Sequence, residues 1–213
     1  MDEVDLSPPE IEAPTTPTLQ RAAAAFHEAG HAILAMAVGG LVNSIETAER
    51  QRCEFQLFIP CDRAAERERA TVLVGLAGWR AEYLWHGRGA SRDEEDYNEE
   101  LELGLQQLRN GFLLDEDHDD DIDALADIMR LTPQATDHEI CARYAAWSAL
   151  CYDILREPAI WSGVQKIAAA LVQRGNLSGQ EVIDLVGGST RPLIQAAVRV
   201  EQARVMKANE TPT

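Results

Sequence analysis

The chain has 213 residues, 46% of them apolar and 26% charged, enough for one domain with a sizeable core and incompatible with a collagen-like or broadly disordered chain. Its net charge of −17, from 36 acidic and 19 basic residues, repels phosphate backbones and excludes nucleic acid as an expected partner. No apolar run reaches the ~20 residues of a bilayer span, so no membrane span is expected.

In chain order, residues 1–17 include four prolines and read as a flexible, Pro-rich arm. A first helix starts near Pro17 with Thr16 as N-cap, and the Gly39–Gly40 pair ends it. Leu19, Ala23, Phe26, Gly30, Ile33, Leu34 and Ala37 share one face of it. A short β region follows, over 41–45 and 54–59, in which Glu54-Phe55-Gln56-Leu57-Phe58 alternates polar with apolar. A second helix runs from about Ala64 to Trp85, and its apolar stretch from Thr71 to Ala77 marks it as central. Further helices are expected over 96–110, up to Leu131, over 133–156, 158–174 and 178–185, and over 192–207. Between Asp93 and Asp123 fourteen carboxylates accompany one basic residue, Arg109, and the run 115–123 reads as a solvated loop. The expected fold is α+β, predominantly helical, with a small N-terminal sheet or hairpin. Residues 18–190 form one domain, and 191–213 form a C-terminal helix and tail. Four cysteines without a C-x-x-C pair read as reduced thiols of a cytoplasmic protein.

One segment carries chemistry. His27-Glu28-Ala29-Gly30-His31 is H-E-x-x-H within the first helix. Residues i and i+4 lie on one helical face, so two imidazoles can share one Zn²⁺. Glu28 lies about 100° further round, outside the coordination shell yet within reach of a water that the ion polarises. Two histidines on a helix could also be ordinary packing residues. Both lie beside the apolar stripe, however, where two buried imidazoles without a shared partner are costly. His86, His118 and His138 are scattered. A carboxylate from the acidic stretch after Gly87 is therefore the expected third ligand.

The segment F-H-E-A-G-H-A-I-L-A, from Phe26 to Ala35, resembles the zinc-protease domain of FtsH-type enzymes. Residues 78–87, G-W-R-A-E-Y-L-W-H-G, are similar to that family's G-x-x-A-E-x-L-x-x-G segment, and 167–182 to its closing helical pattern. The resemblance spans about residues 18–187. It implies a third zinc ligand supplied by an Asp that opens a helix after the second segment. Asp96 suits the spacing from Gly87 and precedes Leu101, Leu105 and Leu108 at helical intervals, whereas Asp93 suits the letters G-A-S-R-D. Glu82, a ligand position in some other H-E-x-x-H enzymes, is not one in this family.

The chain has no G-x-x-x-x-G-K-[ST], so no ATPase of its own is expected. The expectation is thus an ATP-independent zinc metallopeptidase binding one Zn²⁺ through His27, His31 and Asp96 (or Asp93). Glu28 is its general base and flexible or unfolded polypeptides are its substrates. The Glu54, Phe55, Gln56, Leu57 and Phe58 edge would hold the substrate backbone. A homo-oligomer is compatible with this reading. The rival is a non-catalytic or latent module in which zinc staples helices for partner binding.

Overall fold

A computed structural model describes residues 16–48, 51–59, 63–87, 94–110 and 120–187. Among them are seven helices and three strands: α1 (Thr16–Ala37), β1 (Leu41–Glu46), β2 (Arg52–Gln56), α2 (Ala64–Trp85), α3 (Glu94–Arg109), α4 (Asp120–Leu131), α5 (Asp137–Arg156), α6 (Pro158–Arg174), β3 (Asn176–Ser178) and α7 (Gly179–Val186). The expected helix over 192–207 and residues 1–15 of the expected arm over 1–17 lie outside the described residues, while Thr16 and Pro17 of that arm open α1.

α1 is rich in alanine, which favours helix strongly. It ends where the Gly40 N–H donates to the Ala35 carbonyl at 2.7 Å and the Gly39 N–H to Met36 at 3.1 Å. That pair of bonds closes a Schellman turn, with Gly39 at φ 90° supplying the left-handed residue. The chain then enters a three-stranded antiparallel sheet in the order β2-β1-β3, with Ile45 opposite both Cys53 and Leu177. β2 is therefore an edge strand. It ends at Gln56, so Leu57 and Phe58 lie past the strand that the alternating pattern extends to residue 59.

The core lies between α1 and α2, with α6 on the other flank of α1 and α4 and α5 on that of α2. Ile33 and Leu34 of α1 and Val72, Leu73, Val74 and Leu76 of α2 are fully buried. Truncating any of these large side chains to Ala is worth about 2–5 kcal/mol. α2 is apolar nearly all round over this stretch because it has neighbours on several sides.

Besides β2, which runs over Arg52–Gln56 rather than 54–59, three helix starts differ from the sequence reading by two residues or more. α5 begins at Asp137 rather than Pro133, because Thr136 and Glu139 form a reciprocal capping box. α3 and α4 begin at Glu94 and Asp120, each taking in acidic residues that the sequence reading leaves in loops. Carboxylates in a first turn are stabilised by the helix dipole. β3 is short and has no counterpart in the sequence reading. Among the described residues no helix is long and apolar enough to cross a membrane.

Candidate metal centre

The two histidines of H-E-x-x-H sit where α1 crosses α2. The crossing is close because only small residues meet there. A Cβ built on Gly30 would stand 2.3 Å from the Ala77 carbonyl oxygen and 2.7 Å from the Ala81 Cβ. The helices run antiparallel at this point, so His31 faces Val74 and His27 faces Glu82. Val74, Gly78 and Glu82 follow one another at i, i+4 and i+8 and so share one face of α2.

Each imidazole turns its Nδ1 toward α2. His31 Nδ1–H donates to the Val74 carbonyl at 2.7 Å. A carbonyl only accepts, so this bond fixes the tautomer and leaves the Nε2 lone pair of the neutral ring directed away from Val74. His27 Nδ1 lies 3.6 Å from Glu82 Oε2, too long for a direct hydrogen bond but close enough for the carboxylate to orient the ring. The two Nε2 atoms then meet at 3.1 Å. Nitrogens that far apart, each at ~2.0–2.1 Å from a common ion, subtend roughly 100° there, near the tetrahedral angle that zinc adopts.

Gly78 keeps the space beside both nitrogens clear. A Cβ at this position would lie 2.4 Å from His31 Nε2 and 2.5 Å from His27 Nε2, about where a ligand-bound ion belongs. His31, at 9% exposure, and Glu28, at 3%, are buried in this crossing. The site thus fits a small divalent cation by three features: a converging nitrogen pair, acceptors behind both rings, and a glycine where any side chain would collide.

Burial, then the charge of the Glu28 carboxylate, then that of Glu54, push the Cys53 thiol of β2 well above its ordinary range. α1 packs against β2, and the Glu28 charge is felt at Cys53 on that strand. Aromatic rings border the other side. Trp79 stands edge-on to His27 at 6.1 Å, and Phe26 stacks on Trp85 at 5.3 Å and on Trp161 at 5.7 Å.

The residues named from sequence fall into three groups. His27, Glu28 and His31 share the helix crossing. Asp96 lies in the first turn of α3, where the described structure extends to its backbone only, and Asp93 lies outside the described residues. Among the described residues no third His, Cys, Asp or Glu joins the pair as a metal-holding group. Glu82 takes the position behind the His27 ring, on Nδ1 rather than beside the converging Nε2 atoms. His138 is exposed at the start of α5, and His118 lies outside the described residues. The roles of Gly78 and of the Val74 carbonyl are additions of the structure. Gly78 stands in the quoted G-x-x-A-E segment, but its task depends on what faces it across the helix pair.

No protein-family profile matches the chain, and no curated protein sequence matches it.

Proposed function

We propose that this chain is a zinc metallopeptidase of the FtsH type, cytoplasmic and ATP-independent, which hydrolyses peptide bonds in flexible or unfolded polypeptides. The observation that carries the reading is the 3.1 Å approach of His27 Nε2 to His31 Nε2, with His31 Nδ1 committed to a carbonyl. His31 Nε2 presents a lone pair that either a His27 Nε2–H or a shared cation can meet, and a cation engages both rings at once. His27 and His31 would hold Zn²⁺, with Asp96, or Asp93, as the third protein ligand.

Bound zinc supplies a Lewis acid that polarises a carbonyl and makes a water more acidic. Glu28 supplies the proton transfers: its carboxylate takes the proton of the attacking water and delivers it to the nitrogen of the departing amine. Among the described residues the outer edge of β2 pairs with no strand, and it offers main-chain donors and acceptors to an extended substrate, a mode that is indifferent to side-chain identity. Leu57 and the exposed Phe58 would extend that contact past the strand end.

The test uses unstructured casein with zinc-loaded protein. Hydrolysis should stop on chelation and return with Zn²⁺, and Glu28→Gln should keep the metal while losing at least ~10²-fold in rate. An E28Q protein with full activity rejects the mechanism. The burial of Glu28 favours one other reading, a latent or purely structural zinc staple in a helical binding module. Zinc retained by wild type and E28Q alike, with no hydrolysis by either, would select it.

A further inference from the structure

Glu82 and His86 are one helical turn apart at the C-terminal end of α2. The Glu82 carboxylate lies between two imidazoles, Oε2 at 3.6 Å from His27 Nδ1 and Oε1 at 3.8 Å from His86 Nε2. Both spacings exceed a hydrogen bond. The Oε1–Nε2 spacing is, however, shorter than the ~4.1–4.3 Å spanned by one zinc–oxygen and one zinc–nitrogen bond. A cation can therefore reach both atoms with the helix as it stands.

The surroundings suit a weakly held ion. The Glu82 side chain is 22% exposed and that of His86 is 39% exposed, so solvent can complete the coordination. The His86 ring is braced against Trp85, with centroids 4.4 Å apart. The His86 backbone N–H donates to the Glu82 carbonyl at 3.0 Å, which anchors the residue at the helix end. A chain of net charge −17 draws divalent cations toward its surface.

We propose that Glu82 and His86 form a second, weaker divalent-cation site on the solvent side of His27, filled only when the metal is in excess. Its effect on the histidine pair follows from the shared carboxylate. With this site empty, Glu82 supports the Nδ1 side of His27. An ion on Oε1 neutralises that carboxylate and places a second positive charge behind the same ring, so His27 becomes a poorer donor at Nε2. Excess metal then loosens the tight ion and depresses hydrolysis. The coupling rests on the peptidase reading; the chelate itself does not.

Equilibrium dialysis against Zn²⁺, with metal quantified per chain, separates the two. Wild type should take up one tight and one weaker ion. His86→Ala should keep the tight ion and lose the weaker one, and should relieve the inhibition of casein hydrolysis by excess zinc. His31→Ala should lose the tight ion and keep the weaker one. Glu82→Gln should lose the weaker ion and bind the tight one about 10–100-fold less well, through lost support of His27. An H86A protein that still takes up the weaker ion, or remains inhibited at the same zinc concentration, overturns the proposal. A wild-type chain that takes up only the His86-dependent ion upholds this site and overturns the peptidase reading.

Discussion

α2 carries a buried polar cluster on each of two faces, and the two are wired differently. Toward α4 and α5, Arg80 Nη2 donates to the Tyr144 hydroxyl at 3.3 Å, and that hydroxyl donates to Asp121. Toward α1, His31 and His27 meet through two nitrogens of the same kind. In the first cluster a cation is joined to a carboxylate through a phenol, and the chain of bonds fastens three helices. In the second, two Nε2 atoms converge on one small space that a glycine keeps clear. A polar group kept for packing is satisfied from within the fold, while one kept for binding is oriented from behind and presented forward.

Substitutions on the two faces should therefore part stability from metal uptake. The largest effect belongs to Gly78→Ala, whose methyl would stand within 2.5 Å of both Nε2 atoms. It should abolish tight zinc uptake and cost about 1–3 kcal/mol in denaturant unfolding, as overpacking does. A G78A chain that still binds zinc tightly would break the contrast. Tyr144→Phe should do the reverse: about 1–3 kcal/mol of lost stability from stranding Arg80 and Asp121, with zinc stoichiometry unchanged. Loss of zinc from Y144F would mean that the two faces are one unit.

Smaller effects sharpen the same point away from α2. Thr136→Ala should cost about 1 kcal/mol by removing the α5 cap, with no change in metal uptake. Cys151, on the Tyr144 side, has a thiol pushed up to about 12 by burial, a shift that Arg80 partly offsets. It should resist iodoacetamide at pH 8 in the native state and react once the chain is unfolded; rapid native labelling would show that this face opens. The least effect concerns acid. The Glu139 and Glu181 carboxylates are held below their ordinary range by the backbone N–H groups of Thr136 and Ser178 and then by the two hydroxyls. A lowered folded pKa adds stability above the ordinary carboxylate range and loses it as pH falls through the lowered value. Tm should thus drop slightly in acid, and Glu181→Gln should flatten that drop.

The sequence carried the local part of this arrangement. α2 and α6 start and stop where their residues say, at Ala64–Trp85 and Pro158–Arg174, because turns or a proline bound them on each side. The sequence reading starts α5 at Pro133, whereas T-D-H-E, a capping box, stands at 136–139. β3 could not be read locally, since three residues become a strand only by pairing with β1. At the site, H-E-x-x-H spacing names the proposed ligands because one helix sets it. What clears the space between them belongs to a second helix 47 residues on from His31, at Gly78, and only packing reveals it.

The most direct test is the zinc content of purified protein dialysed against micromolar Zn²⁺, measured on wild type and on His31→Ala. The proposed metal centre predicts one tightly held ion per wild-type chain and none at that site in H31A. A wild-type chain that emerges without zinc, or an H31A chain that retains its tight ion, contradicts the account at its base.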